Sequence, residues 1–244
     1  MAVLLAAAAI AGCGSSSKSS SSASTRASAS SSSASSAAVG DNGLASRSAD
    51  EILDATSQAI NGATSVHVSG ALDDAGNQIT LNLHILSGQG ATGTLSENGL
   101  SFKLIAVGQY VYINGSSGFW QHFGGQAAAR RFEGKWLQAP ATSGDFGSLS
   151  DLTDLHKLSR SLLAHQGPLT KGSTSTVNGH PVIAIVDPAK HSRLYVATTG
   201  KPYPVQISKG TTQHVDFDHF DAAVHLAPPR SAIDIGKLQH STTE

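Results

Sequence analysis

In 244 residues there is one cysteine, Cys13, and one methionine, Met1. A single thiol excludes an intrachain disulfide framework and a thiolate zinc cluster. Charge is scarce too: 14% of residues are charged, with Lys+Arg 16 against Asp+Glu 17. No positive excess exists to neutralise a phosphate backbone, so nucleic acid is not expected as a partner. No apolar run reaches the roughly 18–20 residues that a bilayer-spanning helix needs. Large apolar side chains are missing altogether from residues 15–38, where fifteen of twenty-four positions are serine. Such a stretch cannot bury enough surface to offset the entropy of ordering it, which leaves about 200 residues for one folded domain.

What is present begins with ten apolar residues, Ala2 to Ala11. That length suits the hydrophobic part of an export signal and is too short to span a membrane. The run ends in Ile10-Ala11-Gly12-Cys13, which resembles the bacterial lipobox. The resemblance implies that residues 1–12 are a lipoprotein signal peptide and that Cys13 is the lipid attachment site, acylated with chains such as palmitate. It implies a place on the outer face of the cytoplasmic membrane. Two or more buried chains, at about 0.8 kcal/mol per methylene, anchor stably. Residues 13–46 then read as an acylated, Ser-rich disordered tether, and about 33 flexible residues reach roughly 30–35 Å. The domain is expected over residues 47–240.

Within the domain, Ser48-Ala49-Asp50-Glu51 has the spacing of a capping box. Ile52, Leu53, Ala55, Ala59 and Ile60 follow at helical spacing until Gly62, which predicts a helix of about twelve residues. From Thr64 the period becomes two: Val66 and Val68, then Ile79, Leu81, Leu83 and Ile85 alternating with Thr80, Asn82 and His84. These are antiparallel strands with one buried face. Residues 73–77 supply one turn, and Asn98-Gly99 and Asn178-Gly179 supply tight hairpins. Further strands are expected at Leu100 to Val107, Tyr110 to Asn114, Lys135 to Leu137, Val182 to Val186, Arg193 to Thr198, Tyr203 to Ser208 and His214 to Phe220. Between the two groups, Leu149, Leu152, Leu155, Leu158 and Leu162 form an apolar stripe at helical spacing. Runs of strands with segregated helices argue for α+β with a large antiparallel sheet.

Several motifs fail in context. Gly88-Gln89-Gly90-Ala91-Thr92-Gly93 fits a dinucleotide fingerprint, but a hairpin follows it instead of a helix, and no acidic residue lies about 20 positions on. Gly134-Lys135, Gly200-Lys201 and Gly236-Lys237 lack the rest of a phosphate loop, and neither G-x-S-x-G nor H-E-x-x-H occurs. His214, Asp216 and Asp218 share one face of a strand and could ligate a cation. With Val215 and Phe217 on the other face, the strand reads instead as half-solvated, and the other histidines as scattered over the surface. No metal, cofactor or catalytic residue is expected, and the chain is not expected to be an enzyme.

Three features together resemble a known family. They are the helix leading into Ser65-Val66-His67-Val68; Tyr110-Val111-Tyr112-Ile113-Asn114-Gly115 followed by Phe119-Trp120 and Gly134-Lys135-Trp136-Leu137; and Leu194-Tyr195-Val196-Ala197 followed by Gly200-Lys201-Pro202-Tyr203-Pro204-Val205. The pattern is similar to the LolA-like superfamily, in particular the actinobacterial LppX/LprG-type lipoproteins. The resemblance implies a strongly curved antiparallel β half-barrel with helices packed on its concave face. An apolar cavity between them would take acyl lipids or glycolipids.

Carrying a lipid of about 30 methylenes through water costs roughly 24 kcal/mol, so a carrier needs apolar lining of comparable extent. Candidates for that lining are Ile79, Leu81, Leu83, Ile85, Leu104, Val111 and Ile113, with Trp120, Leu152 and Leu155 as a lid. The expected function is binding, and transfer, of acylated lipid by a tethered monomer, with an envelope transporter as protein partner. The alternative is an envelope sensor or interaction module of the same fold.

Overall fold

The computed structural model describes residues 40–74, 76–143, 153–235 and 237. Cys13, Leu149 and Leu152 lie outside the described residues. Helix α1 (Ala49–Asn61) begins as its sequence dictates: Glu51 N–H donates to Ser48 Oγ, and Glu51 Oε2 accepts from Ser48 N–H at 2.8 Å. It buries Ile52, Thr56 and Ile60 and stops at Gly62. The Thr56 hydroxyl, fully buried, donates to the Ile52 carbonyl at 2.8 Å.

Two antiparallel meanders follow. The first runs β1 (Ser65–Asp74), β2 (Asn77–Leu86), β3 (Gly90–Glu97), β4 (Leu100–Val107), β5 (Tyr110–Gly115) and, after helix α2 (Ser117–Phe132), β6 (Leu137–Pro140). Helix α3 (Leu155–Leu163) separates it from β7 (Thr170–Val177), β8 (His180–Asp187), β9 (Ser192–Ala197), β10 (Pro204–Lys209) and β11 (Gln213–Asp218). A short β12 (Ile233–Asp234) pairs parallel with β6. The spatial order is β12-β6-β5-β4-β3-β2-β1-β11-β10-β9-β8-β7, one open sheet of twelve strands. Its two meanders meet where β1 pairs antiparallel with β11, His67 opposite Asp218. The Asn98-Gly99 and Asn178-Gly179 hairpins form as read: both residues of each pair have positive φ, the twist that two-residue turns require.

One face of the sheet carries the core. Ile60 of α1 and Leu155 of α3 join Val66, Val68, Leu83, Ile85, Leu104, Val111, Val215 and Phe217 in one apolar cluster. The first turns of α1 extend a second cluster over Ile183, Ile185, Leu194 and Val196. Thus α1 bridges both meanders, and α3 packs beside it. Edge strand β7 is almost wholly polar and exposed, which discourages edge-to-edge association.

The structure differs from the sequence reading at four places. Residues 40–46, read from the sequence as the end of the tether, are docked on the domain. Asp41 bridges to Thr199, Asn42 Nδ2 donates to the carbonyls of Ala197 and Gly200, and Leu44 is 2% exposed. Composition missed this because a single buried leucine and one asparagine hold the segment. The strand expected at Lys135 to Leu137 starts at Leu137. The helix of the leucine stripe spans Leu155–Leu163 where it is described. Strand β11 ends at Asp218, short of Phe220, because His219 and Asp221 adopt left-handed backbone (φ 48° and 60°).

Candidate functional site

The glycines of the failed fingerprint are accounted for by the sheet. Gly90 has φ 126°, and a Cβ there would lie 2.0 Å from the Ala106 carbonyl oxygen on β4. A Cβ on Gly93 would lie 2.0 Å from the Asn82 carbonyl oxygen on β2. These residues let strands approach each other and present no phosphate cradle.

The inner, apolar site lies between α3 and the sheet. Asp154 caps α3 by accepting from the backbone N–H of His156 and Lys157 at 2.9 and 3.1 Å. The helix turns Leu155, Leu158, Leu162 and Leu163 toward Ile60, Val66, Val68, Ile207, Phe217 and Phe220. The cavity left between them is about 10 Å³, room for no more than about one water. A neighbouring space, where Leu53, Leu163, Leu169 and Leu194 meet, is about 30 Å³. The roomy cavity implied by the family resemblance is therefore absent among the described residues, because α3 lies flat and its leucines fill the space. An open groove of about 560 Å³ runs from the β4–β5 turn, past Tyr110 and Val111, to Asp154 at the start of α3.

Of the residues expected to line a cavity, Leu81, Leu83, Ile85, Leu104, Val111, Ile113 and Leu155 are gathered in the main cluster. Only Leu155 borders the small cavity, and Val111 borders the open groove. Ile79 is half-buried toward the β1–β2 hairpin. Trp120 packs against the edge of the main cluster from α2, over β4 and β5, edge-on to Phe119 and tilted against Phe132, and does not border the small cavity. Leu158, Leu162, Ile207, Phe217 and Phe220 take the place of a lid and wall, and the sequence signalled them only through periodicity that any core residue shares.

Among solved structures, the chain is similar to LprF from Mycobacterium bovis at 16% identity and TM-score 0.50, covering 75% of this chain and 97% of that one. The chain has the LolA-like fold. It is also similar to the lipoprotein LppX from Mycobacterium tuberculosis at 16% identity and TM-score 0.45, covering 77% of this chain and 100% of that one. No protein-family model and no curated protein matches. No described helix of this LolA-like chain is long and apolar enough to cross a membrane.

The outer face of the LolA-like sheet holds a second cluster, which the sequence reading had dispersed. His67 on β1 stands between His84 on β2 and Asp218 on β11 through strand register alone. Its ring stacks on His84 with centroids 4.4 Å apart. Asp218 Oδ1 lies 2.6 Å from both His67 Nδ1 and His219 Nδ1. Burial acts to raise the Asp218 carboxyl, but the hydrogen bonds from His219 and His67 outweigh it and hold the group below its ordinary range. Burial lowers His84, and the neighbouring His67 and His219 add to that. Of the grouping His214, Asp216 and Asp218 considered from the sequence, His214 Nε2 lies 3.5 Å from Asp216, which also accepts from Asn178 Nδ2 and Gln206 Nε2 at 2.8 Å each, while Asp218 turns to His67 and His219.

Proposed function

We propose that this chain is a non-enzymatic, membrane-tethered lipoprotein that accepts an acyl lipid beneath α3. The observation that carries the reading is the make-up of the α3 interface. Ten of the twelve residues bordering its cavity are Ile, Val, Leu or Phe, with Ser159 and Pro204 the exceptions. Magnitudes favour exchange of helix for lipid. Exposing four leucines costs about 1.5–3 kcal/mol each, or roughly 6–12 kcal/mol, and burying about 8–15 methylenes at about 0.8 kcal/mol each offsets it. An ordinary fatty-acyl chain falls in that range. The resting state is closed, and the lipid takes the place of α3 against Ile60, Val66, Val68 and Phe217. Acylation at Cys13 holds the domain at the outer face of the cytoplasmic membrane. With residues 40–46 docked, residues 14–39 link Cys13 to the domain.

The test is native mass spectrometry of the full chain, extracted from membranes of a bacterial host that acylates lipoproteins, followed by solvent extraction. The expected result is one non-covalent acyl lipid per chain, besides the covalent adduct on Cys13. Protein that stays empty after incubation with mixed lipid vesicles would overturn the reading. The filled interior specifically favours one alternative, an envelope interaction module of the same fold. Empty protein that co-purifies with one stoichiometric protein partner would support that instead.

A further inference from the structure

We propose that His67, Asp218 and His219 form a binding site for a divalent transition-metal ion, of the zinc or copper kind, which staples β1 to β11. The three ligand atoms lie within 4.8 Å of one another. The hydrogen-bond inventory points to a cation. With Asn82 Oδ1 turned toward it at 3.1 Å, His67 Nε2 carries a hydrogen and donates it, since a carbonyl oxygen only accepts. A neutral His67 then has a bare lone pair on Nδ1, facing a carboxylate oxygen at 2.6 Å. Two acceptors at that distance repel, so a proton or a metal ion lies between them. His219 Nδ1 reaches the same oxygen at 2.6 Å. A metal ion satisfies all three atoms at once, whereas protons alone require an imidazolium at His67 beside the Nδ1–H tautomer of His219 on one carboxylate oxygen.

The surroundings are those of a built site. Asn82 holds the non-ligating nitrogen of His67, the outer-shell contact that fixes the ring orientation of a metal-bound histidine. His84 stacks on the other side of the His67 ring and limits its rotation. The left-handed backbone of His219 (φ 48°) breaks the alternation of β11, so that residues 218 and 219 both turn toward His67. A non-glycine residue in that region is uncommon. Two imidazoles and one carboxylate suit zinc, copper or nickel and not magnesium or calcium. With bonds of about 2.0 Å, tetrahedral ligands stand about 3.3 Å apart, so the two 2.6 Å contacts to Asp218 Oδ1 have to open by about 0.7 Å. His219 is 69% exposed and Asp218 46% exposed at the side chain, which leaves room for solvent ligands. The site lies on the face opposite Val66 and Val68, so it stands or falls separately from lipid binding.

Calorimetric titration of the full chain in detergent, stripped of ions by a chelator, tests this with Zn²⁺ and, as a control, Mg²⁺. One saturable Zn²⁺ per chain is expected, with no heat from Mg²⁺. His67→Gln and His219→Gln should each weaken binding at least tenfold. Asn82→Ala should weaken it by roughly 10–100-fold, as outer-shell losses do, while His122→Ala, on the exposed face of α2, should change nothing. Electron paramagnetic resonance of the Cu²⁺ form should show coupling to two imidazole nitrogens. His219 is exposed and ends its strand, so the His219→Gln variant keeps the test valid even if His67→Gln fails to fold. Absence of one-to-one binding, binding undiminished in His219→Gln, or a copper signal with fewer than two nitrogens would each overturn the proposal and leave only protons on these rings.

Discussion

Asp221 shows how much one side chain holds in this fold. Its carboxylate accepts from Lys201 Nζ at 2.8 Å, Thr64 N–H at 2.9 Å, Tyr203 O–H at 2.8 Å and the Thr64 hydroxyl at 3.2 Å. These contacts join the exit of β11 to the start of β1 and to the β9–β10 turn. The Lys201 ammonium, then the Thr64 N–H, hold the carboxyl far below its ordinary value, and Lys201 is held correspondingly high. A depressed carboxylate contributes stability that is fully present above the unfolded value near pH 4 and is lost as pH falls through the folded value. Asp221→Asn should therefore destabilise the domain by about 1–2 kcal/mol at pH 7, a figure reduced because the site is partly solvated. The difference between variant and parent should shrink below about pH 4. Thermal melts across pH 2–8 measure it, and a constant offset across that range would refute the assignment.

At the scale of elements, α3 combines strong amphipathicity with few ties. It has nine residues, an Asp154 cap, contacts with α1 and leucines packed on the sheet's main cluster, and isolated helices this short are marginal. Its stability comes from its leucines, which are also the groups that a bound acyl chain would replace. Leu158→Ala should accordingly lower stability by about 1–2 kcal/mol, less than a fully buried leucine would cost because Leu158 is half-buried. It should also speed uptake of a fluorescent fatty acid by the full chain. Slower uptake, or none in either protein, would show that α3 is not the element that lifts. Helix α1 is the opposite case: its capping box and its two buried clusters tie it to both meanders, which suits a fixed frame.

For the whole molecule, the proposed anchor makes the chain before the domain matter as well as the sheet. Cys13→Ser removes the only thiol and hence any thioether anchor. Fractionation should move the protein from the membrane to the soluble pool with the melting temperature of the domain unchanged. Retention on the membrane would mean that another surface binds lipid headgroups. The sheet has a corresponding weak point at the β1–β11 seam. It joins residues about 150 positions apart, Asp218 with His67, and non-local pairing of this kind is slow to form. A metal staple at that seam would act where two paired strands far apart in sequence close a long loop.

Local chemistry determined much of this protein directly. The Ser48/Glu51 box started α1, the two-residue period of Leu81, Leu83 and Ile85 made a strand with one dry face, and Asn98-Gly99 and Asn178-Gly179 turned their hairpins. These signals survive because each depends on residues a few positions apart. What depended on distant residues meeting was hidden. Nothing near His67 in sequence announces His84 and Asp218; the register of β2, β1 and β11 brought them together. Leu44 looked like part of a tether until Ala197 and Gly200 supplied its neighbour Asn42 with carbonyls. Periodicity showed which leucines are buried but not whether they enclose space, because a filled core and an empty cavity need the same alternation. Only the tertiary structure decided that, by laying α3 flat on Phe217 and Phe220.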